Sequence, residues 1–247
     1  MKYRIFALPI TAILTWVSIP THHAAAAVAY VDSGVIIAAT TSIDVVCSVS
    51  GTNKVLYAFV TRDATSDVNP SAVWDSAGAN QSMTLVQESG SGTSRYLAMF
   101  RLIAPTDGTA KNVTISGLTA IDNVGTCISL EGVNQATPDD TAVTDANTTG
   151  TSDSNTVSST TGDLVVSVIT VNNQNTAGLV GDGAGGTERE ASGNGGIGMG
   201  LMTEPGAASV DADWSWSSNS DWRHWAFNVK AASSTTTPNF MLLGVGP

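Results

Sequence analysis

Beyond about residue 28 the chain holds no apolar repeat of helical period long enough for an amphipathic helix. Short runs rich in Val, Ile and Thr alternate instead with clusters of Gly, Asn, Asp and Ser. β-branched side chains suit a pleated surface, and the small polar residues suit turns. That rhythm predicts a sandwich or barrel of antiparallel strands.

Individual runs carry the pattern. In SIDVVCSVS, residues 42–50, Ile43, Val45, Cys47 and Val49 share one face. KVLYAFVTR (54–62) is apolar on both faces and reads as a central strand, as does GDLVVSVITVN (162–172). Further strands are expected within 82–89, 95–104, 111–117, 126–133, 197–204, 208–216 and 222–231. The expected fold is all-β: one two-layer antiparallel β-sandwich of jelly-roll type over 28–232, with two pseudo-halves admissible. Residues 134–160 are polar, acidic and nearly free of large apolar side chains. They read as a long crossover inside one domain, because neither half is large enough for a comfortable core of its own. The Gly-rich stretch 181–196 reads as an exposed loop.

Both ends differ from this body. Lys2 and Arg4 precede an apolar run from Ile5 to Ile19, and Ala24 to Ala27 offer small-residue cleavage sites. Residues 1–27 thus read as a secretory signal peptide or an N-terminal apolar segment, and the run is short for a membrane span. Residues 233–247 form a linker, SSTTTP, and an apolar tail, NFMLLGV. Phe240, Met241, Leu242, Leu243 and Val245 either close the parent sheet or add a strand to a neighbouring subunit.

Charged residues make up 13% of the chain, about half the usual share. Solubility then rests on Ser, Thr, Asn and Gly, which suits an extracellular, cell-surface or virion-surface protein. A net charge of −11 with ten Lys and Arg argues against a nucleic-acid partner. In an exported chain the two cysteines, Cys47 and Cys127, predict a disulfide within the first half. The sequons at Asn80, Asn112 and Asn147 matter only in a host that glycosylates.

Few residues offer chemistry. The histidines are His22, His23 and His224, so a Ser-His-Asp triad in the mature chain would run through His224, and no G-x-S-x-G elbow exists. Paired acids for glycoside hydrolysis would come from Asp139, Asp140, Glu188, Glu190, Asp211 and Asp213. A structural calcium would draw on Asp182 with Glu188 or Glu190, or on Asp139 and Asp140. No nucleotide or redox motif appears, and no cofactor is expected.

The densest feature is DWSWSSNSDWRHW, residues 213–225. Period-2 alternation puts Trp225, Phe227 and Val229 on a core face. Trp222, His224, Ala226, Asn228 and Lys230 fall on a mixed face directed at water or a partner. Trp214 and Trp216 can pair with Trp222 or Trp225, which makes a packed hairpin the first reading. A subunit interface and a carbohydrate platform of Trp214, Trp216 and Trp222 are the alternatives.

SMTLV (82–86), RLIAPTDGTAKNVTIS (101–116), GVNQATPDD (132–140), TGDLVVSV (161–168) and WAFNVKAA (225–232) together resemble a loose group of jelly-roll or β-sandwich proteins of phages and environmental bacteria. The resemblance spans roughly 30 to 232 and rests on strand and turn patterns. It implies a surface or virion structural protein and supplies no catalytic residues. The expectation is a non-enzymatic structural subunit that self-associates into a homo-oligomer or polymer; a carbohydrate-binding module that recognises a surface glycan is the alternative.

Overall fold

A computed structural model of the chain describes residues 26–39, 41–62, 69–89, 95–119, 122–172, 178–183, 185–194 and 196–233. The leader before residue 26 and the tail residues Phe240, Met241, Leu242, Leu243 and Val245 lie outside them.

The first half lays down β1 (Ala29–Ala39), β2 (Ile43–Val49), β3 (Val55–Arg62), β4 (Ser71–Trp74), β5 (Gln81–Ser82), β6 (Thr84–Glu88), β7 (Tyr96–Ile103), β8 (Gly108–Ser116) and β9 (Asn123–Glu131). The second lays down β10 (Val143–Asn147), β11 (Ser152–Val157), β12 (Leu164–Asn172), β13 (Val180–Gly181), β14 (Thr187–Asn194), β15 (Ile197–Pro205), β16 (Val210–Ser215) and β17 (Trp222–Val229). No helix occurs among the described residues. Every strand pairing is antiparallel, as the sequence predicts.

Four sheets result. In the first half an inner sheet runs β1-β9-β3-β7-β6 and an outer one β2-β8-β4-β5. In the second half the inner sheet runs β10-β17-β12-β15-β14 and the outer one β11-β16-β13. The orders match when β10, β11 and β12 stand for β1, β2 and β3, β13 for β4, and β14 to β17 for β6 to β9. The register matches as well. Val55, the first residue of β3, lies opposite Ile103 and Leu130; Leu164, the first of β12, lies opposite Pro205 and Val229. The chain is thus a duplicated unit: the expected antiparallel sandwich occurs twice, as two halves of one compact body.

Alternation along the central strands explains their apolar character. Val55, Tyr57 and Phe59 meet Val166, Val168, Trp225 and Phe227 in a core between the two inner sheets. Leu56, Ala58 and Val60 pack instead against Ile43, Val45, Trp74 and Val113 of the first outer sheet. Val165, Ile169 and Val171 pack against Val157, Val210 and Ala212 of the second. Each inner sheet is therefore covered on both faces, and neither central strand has a watered side.

The seam between the sandwiches is specific. The Tyr57 and Phe227 rings lie 5.2 Å apart and tilted, an arrangement that contributes about 1 kcal/mol beyond area burial. Arg189 lies over the Tyr30 ring, 3.9 Å from its centre, and Ser33 donates to Glu190 at 2.9 Å. Arg101 pairs with Asp139, whose side chain is 3% exposed.

Residues 134–160 do not form the predicted crossover. They contribute β10 and β11, the first strands of the second unit. Their polarity reflects position: β10 and β11 are edge strands with much of their surface in water. The expected disulfide is present, joining Cys47 of the outer sheet to Cys127 of the inner sheet across 80 residues. Such a loop closure contributes about 4 kcal/mol before any strain.

Candidate functional site

The second sandwich holds the densest chemistry, at its one described histidine. His224, on β17, is fully buried. Its Nε2 lies 2.8 Å from Ser167 Oγ and its Nδ1 lies 2.7 Å from Asp153 Oδ2. The Trp214 indole reaches the same Ser167 oxygen at 2.7 Å. Donor logic orders the chain. An indole N–H only donates, so Ser167 Oγ accepts from Trp214. The Ser167 hydroxyl hydrogen is then free to point at Nε2. In the neutral ring the proton sits on Nδ1 and is donated to Asp153. The bonds run Trp214 to Ser167 to His224 to Asp153, from outer sheet to inner sheet and back.

The first sandwich has no such chain. Ala58 and Gly125 occupy the positions that Ser167 and His224 occupy in the second. Conversely Ala226 stands where Cys127 stands. One unit is cross-linked covalently, the other by hydrogen bonds.

The distances are those of a Ser-His-acid triad, but the direction of access is reversed. Ser167 is 1% exposed, covered by the Trp214 indole and set among Val165, Ile169, Met202 and Ala226. A nucleophilic serine must meet its substrate, and this one meets an indole. The end nearest water is Asp153, which lines a shallow depression with Ser152, Ser154, Asp182, Asp213 and Ser215. The arrangement serves as a buried polar tie between sheets. The period-2 reading of 222–231 therefore needs correction, since its mixed face is not turned to water. Trp222, His224, Ala226 and Asn228 are all buried, because the outer sheet of the second sandwich lies over them. The legible signal for this tie was Ser167, a hydroxyl amid β-branched residues, which costs free energy to bury without a partner.

The tryptophans belong to the same packing. Trp214 is 1% exposed, Trp216 4% and Trp222 4%. Trp216 and Trp222 tilt together at 5.8 Å, and their indoles donate to the Gly150 and Thr149 carbonyls. The partners come from two sheets, not from one hairpin. Gly200 beneath Trp214 is required, since a Cβ there would stand 2.5 Å from the indole ring. Stacking on a sugar needs an open indole face, and these three offer none; the platform of Trp214, Trp216 and Trp222 is not formed.

The acids disperse. Asp139 pairs with Arg101 and Asp140 with Lys230, so each has its own cation rather than a shared metal. Burial pushes the Asp139 carboxyl up despite Arg101, and burial with the nearby Asp139 charge keeps the Tyr57 phenol protonated. Asp182 accepts from Ser215, Glu188 from the Gly181 amide and Glu190 from Ser33. They do not converge, and no metal-holding group of three or more His, Cys, Asp or Glu occurs among the described residues. Asp140 and Asp163 do share one donor, the Asn228 amide, in a polar groove of about 440 Å³ that Lys230 also lines. Burial raises the Asp163 carboxyl, but bonds from Ala231, Asn228 and Thr160 outweigh it and hold the group low. A glycosidase acid needs the opposite shift.

The fold and these sites define an all-β protein of duplicated antiparallel sandwiches, one disulfide-bonded and one tied by hydrogen bonds. No protein-family model matches the chain, and no curated protein or solved structure is significantly similar to it. No helix among the described residues is long and apolar enough to cross a membrane.

Proposed function

We propose that the chain is a non-enzymatic structural subunit of an extracellular or virion surface assembly, built from two jelly rolls. The duplication carries this reading. Two copies of one sandwich share a core between their inner sheets, and the triad-like chain and every described tryptophan serve packing. A rigid block with its reactive groups turned inward suits a building unit.

Strand order supports the jelly-roll reading. Met83 alone separates β5 from β6, which act as one strand changing sheets. Counted so, the first half has eight strands ordered 1-8-3-6-5 and 2-7-4-5, with the fifth shared by both sheets, which supports the winding of two Greek keys. The second half repeats 1-8-3-6-5 and 2-7-4, its fifth strand lying on the inner sheet alone. The sequence resemblance to phage and bacterial surface proteins points the same way, and the disulfide fits an extracellular site.

Self-association would use the strand edges and the tail residues Phe240 to Leu243 and Val245. Negative-stain microscopy of the natively purified protein, with intact mass on the same sample, tests the reading. Filaments, shells or arrays are expected, and removal of residues 238–247 is expected to disperse them. A monodisperse monomer in both forms would overturn it.

A further inference from the structure

Glu204, near the end of β15, is 2% exposed and turned toward the outer sheet of the second sandwich, like Met202 two residues earlier. Its Oε1 has no hydrogen-bond partner, and no lysine or arginine forms an ion pair with it among the described residues. The chain leaving β13 is pressed onto it. A Cβ on Gly183 would collide with the Glu204 carboxyl and stand 2.9 Å from the Asp211 carbonyl oxygen. A Cβ on Gly186 would stand 3.2 Å from Glu204 Cγ. Glycine at 183 lets the backbone sit directly on a buried carboxyl.

Among the described residues, the charges that act on this carboxyl, those of Asp213 and Asp211, are negative. Asp211 and Asp213 lie on β16, Asp182 lies on the segment itself and Glu188 on β14. Arg189, also on β14, donates to Thr203 and stacks on Tyr30. The segment is otherwise held by its short pairing with β16, Val180 opposite Ser215 and Gly181 opposite Trp214, and by Gly181 N to Glu188 at 3.0 Å, Asp182 N to the Asp213 carbonyl at 3.1 Å, Gly186 N to the Gly183 carbonyl at 2.8 Å and Ser215 Oγ to Asp182 at 3.3 Å. At β13 the outer sheet ends, where the first sandwich carries β5 as well.

We propose that Glu204 is a proton-operated latch on Val180–Gly183: neutral, its carboxyl lets β13 close over the inner sheet; ionised, it draws water beneath the segment and frees the edge of the outer sheet. A buried carboxylate with no counter-ion must either take a proton or be hydrated. Burial first, then the Asp213 and Asp211 charges, raise this carboxyl to about 7. Between the ordinary glutamate value and about 7 the folded chain holds a proton that the unfolded chain has released. Stability on this account falls as pH rises through that window.

Hydrogen exchange by mass spectrometry, corrected for intrinsic rates, reads the latch in the 178–183 peptide of the full chain at pH 6 and pH 8. Protection is expected to drop about tenfold or more on ionisation in the natural protein and to stay level in Glu204→Gln. Asp213→Asn, which keeps Glu204 but removes a repelling charge, is expected to move the transition to higher protection at pH 8. The same pH response in Glu204→Gln, or none in the natural protein, would overturn the proposal. Calcium chloride restoring protection at pH 8, against an EDTA control, would overturn it too, by making the carboxylate a cation ligand.

Discussion

Thr61 and Thr170 meet hydroxyl to hydroxyl, 2.7 Å apart, and each is the seventh residue of its half's central strand. Thr61 also donates to the Tyr96 carbonyl at 2.8 Å, which leaves Thr170 to donate to Thr61. Equivalent positions of a duplicated strand thus face each other at the seam. A hydroxyl pair is a satisfied polar contact in an apolar layer, and such a contact favours one register of the two sheets over its neighbours.

The two halves should not be separable. Expressed alone, residues 28–133 or 134–233 would expose an inner-sheet face lined by Tyr57 and Phe59 or by Trp225 and Phe227. Each fragment is expected to aggregate, while residues 28–233 unfold in one cooperative step by calorimetry. Two well-resolved transitions would contradict this.

Ser167→Ala should be costly for so small a change. It strands the Trp214 indole N–H and the His224 Nε2 in an apolar layer. The expected loss is about 2 to 3 kcal/mol, read as a lower urea midpoint at unchanged slope. A loss below about 0.5 kcal/mol would mean the chain contributes little to stability.

Reduction of Cys47–Cys127 should cost about 4 kcal/mol. Urea titrations with and without reductant measure it directly. Cys47→Ala with Cys127→Ala should behave like the reduced protein, and equal midpoints for reduced and oxidised protein would count against the bond.

The five described tryptophans should resist quenching by iodide, since none is more than 4% exposed. Titration with soluble glycans is expected to leave their emission unchanged. A saturable, glycan-specific shift would return the cluster to the list of binding surfaces.

Asp163 should shape the acid limb of stability. Its folded-state carboxyl is held low, so its contribution is present above the ordinary carboxylate range and is lost as pH falls through it. Asp163→Asn should be less stable than the natural protein at pH 5, and the gap should narrow by pH 3. A constant gap would show that the site acts without titrating.

Fold class was open to reading because it is a local property. Val-, Ile- and Thr-rich runs between Gly and Asn turns allow little but strands, and the doubly apolar run at 54–62 marks a central strand wherever it ends up. The disulfide was legible because two cysteines allow one pairing. Trp214 and Trp216 were legible as packed aromatic residues, though as partners in one hairpin and not as side chains joining two sheets.

Composition and alternation alone determined that this protein is all-β and antiparallel, and two cysteines pointed to the one disulfide that the structure contains. Tertiary structure decided the rest. Period 2 assigns residues to two faces but does not say what covers either one. A second outer sheet covers the face of β17 that carries His224, and that cover turns a surface histidine into the centre of a buried chain with Ser167 and Asp153. The same cover closes the indoles of Trp214 and Trp222. It also sets Glu204, one acid among many in the sequence, beneath Gly183, where only a proton or water can satisfy it.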